Sequence, residues 1–189
     1  MSNVDVTRSL RSADLHYEQR GVARGVLLAI LVSTVVLLGG YLFVPFPWHG
    51  YANVGERIAL ALRIDIIVFA WLVAAIANVG SRRFFSRDDI QGAGFYPPSE
   101  RIAIPVAILQ NTLEQTVTAV GAHLILATLL LGQELVLLPL LAVLFCVGRA
   151  AFWLGYRGGA GQRAFGFALT FYPTLAAYLL AIILLIRRA

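Results

Sequence analysis

Asn111, Glu114, Gln115 and Thr118 stand in the middle of a strongly apolar chain at the spacing i, i+3, i+4, i+7. On a helix that spacing sets them along one face. Thr112, Thr116 and His123 fall on an adjoining face. Hydrocarbon cannot satisfy a carboxylate or a primary amide, so this surface must look into protein or a wet cavity. Such a group of side chains can hold a small polar anion, or it can lock neighbouring helices together as a satisfied polar seam. The residues alone leave both readings open.

Further arginines follow in the chain. Asn111 lies seven residues past Ile104, and Arg149 lies seven before Tyr156. At a rise of 1.5 Å per residue, each sits roughly 10 Å below the same membrane face. Glu114 is one turn deeper, which predicts a Glu114–Arg149 ion pair between adjacent helices. The cluster opens toward the loop carrying Arg157 and Arg163. Arginines, one carboxylate, amides and Tyr156 together suit a small, net-anionic ligand that carries both carboxylates and an amine.

The elements that position these groups are membrane helices. Of 189 residues, 59% are hydrophobic and 13% charged, with a mean hydropathy of +0.80. Soluble domains run nearer half apolar and a quarter charged, so this is an integral membrane protein. All fifteen basic residues are arginine and the net charge is +5, a balance that points to anionic lipid headgroups and topology. No basic–aromatic patch argues for nucleic acid. One cysteine, Cys146, excludes an internal disulfide and reads as a small buried apolar residue.

Residues 1–21 read as a polar cytosolic tail, with or without a short interfacial helix. Residues 22–55 hold a first spanning helix, Val22–Val44, and an outer loop; Pro45 and Pro47 end the helix, and Trp48, His49 and Tyr51 suit the lipid–water boundary. Residues 56–189 form a four-helix membrane domain with spans at Glu56–Val79, Ile104–Leu131, Leu135–Tyr156 and Ala164–Ile186. The first of these carries Arg63, which can snorkel to the surface, and Asp65, which needs a partner on another helix. Ser99 is placed to cap the helix that follows the 80–99 loop, and Pro105 either starts or kinks the span after it. The arginines of the tail, the 80–99 loop and the 157–163 loop place the amino terminus inside and leave Arg187 and Arg188 on the far side. The expected location is the cytoplasmic membrane of a bacterium.

Two stretches resemble the MAPEG family, the membrane-associated proteins in eicosanoid and glutathione metabolism. Gln110-Asn111-Thr112-Leu113-Glu114-Gln115 resembles the family's Asn-x-x-Glu on its second helix, in the wording of bacterial members. Gly148-Arg149, Gly155-Tyr156 and Arg163-Ala164-Phe165-Gly166-Phe167 resemble its third-to-fourth helix junction. The match in order and spacing covers about residues 56–188. Three positions depart from the family pattern: Ala107 where an arginine is usual, Phe152 where a tyrosine is usual, and Gln115 in place of an aromatic.

The resemblance implies an all-α four-helix membrane fold, here with one additional N-terminal helix to make five spans, and a homotrimer with sites between subunits. It implies glutathione, a small anionic thiol, bound near the cytosolic face by Asn111, Glu114, Gln115, Arg149 and Tyr156. Arg163 would stabilise the thiolate as the catalytic group, with no metal. The expected activity is conjugation or reduction of a lipophilic electrophile drawn from the bilayer. The alternative is a non-catalytic relative whose polar cluster serves trimer assembly or binds lipid or a partner protein. A third reading, a proton relay through Asp65, Glu114 and His123, lacks the internal repeat of the usual transporter plan.

Overall fold

A computed structural model describes residues 3–92, 95 and 97–188. Every regular element among them is helical: α1 (Asn3–Phe43), α2 (Val54–Ile64), α3 (Ile66–Phe84), α4 (Glu100–Leu129), α5 (Leu137–Gly155) and α6 (Ala160–Arg188), with single turns of 3₁₀ helix between some of them. Four stretches are long and apolar enough to cross a membrane: Leu15–Phe43, Val54–Phe84, Gly132–Gly158 and Ala160–Arg188. The central helix α4 has the reach at 30 residues, but its run of amides, hydroxyls, Glu114 and His123 keeps its composition short of those four. The other helices bury Thr112, Gln115, Thr116 and His123 of that run, whereas Glu114 and Thr118 stay exposed.

From Asn3 onward, α1 takes in both the expected tail and the first span without interruption. The segment ahead of the apolar run is rich in residues that tolerate a helix, and no proline intervenes before Pro45. α2 and α3 meet at Asp65, whose N–H still bonds to the Ala61 carbonyl at 2.8 Å and whose carbonyl accepts from Phe69 N–H at 2.8 Å. The two therefore continue as one crossing. Asn53 and Glu56 close the start of α2 with a reciprocal capping box.

Close helix contacts rest on small residues. Gly21, Gly25, Ala29 and Ser33 recur every fourth residue on α1 and seat it on α6; a Cβ at Gly25 would come within 2.8 Å of Phe165 N. Between α5 and α6, a Cβ at Gly166 would lie 2.2 Å from Phe152 N and 2.6 Å from the Gly148 carbonyl. Only glycine allows these backbones to approach so far.

Polar side chains fasten the ends. Gln133, in the turn between α4 and α5, donates to the carbonyls of Tyr41 (3.3 Å) and Val44 (2.6 Å) and accepts from Phe46 N–H (3.0 Å). Buried Arg57 donates to Ala127 O at 3.1 Å, and Arg188 donates to Leu129 O and lies 3.7 Å from the Glu134 carboxylate. Two arginines thus complement the negative end of α4. That gives Arg188 a local electrostatic partner on the side where the arginine count alone would not place it. At the other end, Ser99 does not cap α4 with its side chain. Its hydroxyl and N–H both donate to Asp89, at 2.7 and 2.9 Å, alongside Ser86 Oγ at 2.6 Å.

Candidate functional site

Arg149 is fully buried on α5. Its Nη1 donates to Asn111 Oδ1 on α4 at 2.8 Å, and its Nη2 donates to Thr170 Oγ1 on α6 at 2.6 Å. Thr170 can accept because its own proton goes to the Phe167 carbonyl, at 2.8 Å. The guanidinium also lies over the ring of Phe152, 4.5 Å from its centroid, with Phe145 at 5.8 Å. Nε is buried without a partner. Among the described residues no carboxylate lies within ion-pair distance of it, so neutral acceptors and aromatic faces carry this charge.

The expected Glu114–Arg149 pair is therefore not formed. Three residues' advance along a helix turns Glu114 about 60° away from Asn111, and Thr170 holds the guanidinium at the level of Asn111. Glu114 is exposed and accepts instead from Gln110 Nε2 at 2.8 Å. Gln115 turns inward, buried, with Oε1 lacking a partner.

Asn111, Tyr156 and Arg163 do come together. They line a partly open cavity of about 470 Å³ where α5 turns into α6. Arg163 lies over the Tyr156 ring at 4.8 Å from its centroid, and Phe152 meets Tyr156 edge to face at 5.2 Å. Phe167 and Tyr172 of α6 continue the wall, and Val22 and Val26 of α1 close it. The lining thus combines an amide, a cation and two phenols with aromatic and aliphatic surface. Neither Glu114 nor Gln115 lines it, and Arg149 supports it by holding Asn111.

Deeper in the bundle, His123 Nδ1 and Asp65 Oδ1 meet at 2.6 Å with both side chains buried. Asp65 has the partner its depth demanded, and the pair excludes Glu114, so no continuous relay of the three is built. Arg63 is exposed. Trp153 Nε1 donates to Thr112 Oγ1 at 3.4 Å. Cys146 is half-buried rather than sealed in the core. Among the described residues no group of three or more His, Cys, Asp or Glu side chains could hold a metal ion.

Thr170, Val22 and Val26 were not legible as site residues. Thr170 sits in a nearly uncharged helix, and the one signal for it was its i, i+4 spacing with Gly166 and Thr174, a row of small or hydroxyl residues on one face. The two valines lie in a different helix, far away in sequence.

A sequence model of the MAPEG family matches residues 58–183. The chain belongs to that family. Asn111, Arg149, Tyr156, Arg163 and Thr170 all fall inside the matched region, whereas α1 lies ahead of it. Among curated proteins, Transmembrane protein 79 of Mus musculus is 29% identical over 158 residues, 83% of this chain and 39% of that protein. Transmembrane protein 79 of Bos taurus is 28% identical over 152 residues, 80% of this chain and 38% of its own length. The chain spans about two fifths of the length of these relatives. Both are mammalian, so the bacterial membrane expected from the sequence has no support from them. No solved structure matches.

Proposed function

We propose that this MAPEG protein binds glutathione in the Asn111–Tyr156–Arg163 cavity and joins it, through its sulfur, to a lipophilic electrophile. The observation that carries the reading is the charge balance around the cavity. Two guanidinium groups flank it, one of them buried with no carboxylate at ion-pair distance among the described residues. An uncompensated cation in a low-dielectric setting favours an anion beside it. Glutathione is a net anion, and its thiol gains most when ionised next to Arg163.

In this reaction the thiol proton leaves to water, the thiolate attacks an electrophilic carbon, and an S–C bond forms. The displaced electron pair departs with a leaving group or is protonated by water. Arg163 stabilises the sulfur anion, Asn111 orients the peptide, and Arg149 holds Asn111 in place. Exposed Glu114 and Gln110 stand outside the cavity, where a neighbouring subunit of a homotrimer would complete the amine site. The amino terminus and the cavity mouth face the cytosol, where the arginine-bearing loops at that end belong.

Saturating glutathione should raise the melting midpoint of the detergent-solubilised protein, and Arg163→Ala should abolish thiolate absorbance while leaving the oligomer intact. An unmoved midpoint for the wild type sinks the proposal. The internal locking of Arg149 by Asn111 and Thr170 favours a second reading, a non-catalytic member in which the cluster serves assembly; then Arg149→Ala disperses the oligomer and glutathione has no effect.

A further inference from the structure

We infer that α1 is a working part of the candidate site, and that Val22 and Val26 limit the bulk of the lipophilic reactant. The inference rests on the cavity reading above and deepens it. Val22 and Val26 are one helical turn apart and project from α1 into the cavity wall. Each directly follows a glycine of the α1–α6 seam. A Cβ at Gly21 would lie 3.2 Å from the Gly161 Cα, and one at Gly25 would lie 2.8 Å from Phe165 N. The two backbones touch at these points, so α1 cannot retreat to admit a larger ligand without losing its seat.

The lining also divides by chemistry. Asn111, Arg163 and the phenols of Tyr156 and Tyr172 supply the polar groups, while Val22, Val26, two alanines and the rings of Phe152 and Phe167 supply apolar surface. Val22 and Val26 offer a ligand no hydrogen bond, so the apolar reactant is what gains by packing against α1. Flat aromatic bodies match a wall of rings and two branched aliphatic residues, so an aryl electrophile is the ligand class that this side would take. The matched family region begins at residue 58, so the limit on bulk comes from outside it.

Cys146 lies on α5 with its sulfur toward Ile67 O and does not line the cavity, so Cys146→Ser gives a thiol-free background. In that background, Val26→Cys and the exposed control Leu15→Cys are labelled with a charged methanethiosulfonate in phosphatidylcholine nanodiscs. Naphthalene sulfonate, an aromatic anion, should slow labelling of Val26→Cys and leave Leu15→Cys unchanged. Equal rates with and without the sulfonate, or no labelling at Val26→Cys, overturns the inference. In a second arm, Val22→Ala with Val26→Ala should shift the turnover ratio of two-ring to one-ring aryl halides by about tenfold toward the larger. An unmoved ratio in an active protein also overturns it. Should the sulfonate shield Val26→Cys while the wild type conjugates no glutathione, the thiol reading falls and the wall stands.

Discussion

The Arg149 guanidinium and the Asn111 carboxamide meet at 2.8 Å between α5 and α4. Among the described residues the charge has no carboxylate partner, and the contact fixes the amide beside the cavity. The two residues are unequal: each depends on the contact, but only one would be left charged without it. Replacing Asn111 by Leu takes away one of the buried cation's two acceptors and should cost about 1.5–3 kcal/mol. Arg149→Met removes the charge along with its need for acceptors and should cost less, because an apolar replacement of similar length can pack. Thermal midpoints of the two variants in one detergent check the order. Both should weaken any glutathione-dependent stabilisation.

Asp65 and His123 should behave as a coupled unit. Asp65→Ala and His123→Ala each leave a buried polar partner, and a double-mutant cycle should show a coupling of about 0.5–3 kcal/mol. Asp65→Asn retains an acceptor oxygen and should lose less than Asp65→Ala. Additive single and double variants would remove the pair from any role in holding α3 to α4.

Gly166→Ala forces a methyl group against backbone atoms of Phe152 and Gly148, at 2.2 and 2.6 Å. Backbone cannot swing aside as a side chain does, so the cost should reach about 1–3 kcal/mol or more. Gly39→Ala is the control, because nothing lies within 4 Å of its added carbon, and the gain in helix propensity there is up to about 1 kcal/mol. Denaturation of the two variants should move in opposite directions.

The hydrogen bond from Ser86, followed by the backbone N–H of Ser99, holds the Asp89 carboxyl below its ordinary value. A lowered carboxyl stabilises the folded loop above its unfolded value, near pH 4, and that contribution is lost as the pH falls through the folded value. Amide exchange at Ser99, taken relative to the intrinsic rate of an unprotected amide at each pH, should therefore accelerate on acidification below about pH 4. In Asp89→Ala it should be fast already at neutral pH.

Periodicity and hydropathy made the helices and the polar face of α4 legible, because both are local properties of a few turns. They also set Asn111 and Arg149 at one depth, opening toward Tyr156 and the loop of Arg163, since a rise per residue suffices to compare depths on antiparallel helices. The azimuth was beyond reach. Depth placed Glu114 near Arg149, but only the packed bundle shows that Thr170 takes the guanidinium first. Asp65 announced its need of a partner and His123 lay on the right helix, yet their pairing depends on how α3 is rotated against α4. The continuation of α1 through residue 21 was hidden for a different reason: charge marks where a helix leaves the bilayer and says nothing of where it ends.

The apolar span of α1 is tied near both ends, by Glu18 accepting from Gly161 N–H at 3.3 Å and by the Gln133 carboxamide near Val44. The covalent link from Pro47 to Ala52 is thus not what keeps this helix in its place. A protease site inserted there should yield two fragments that still migrate as one species through a sizing column in mild detergent. Expressed as separate polypeptides, they should reassemble within the bilayer.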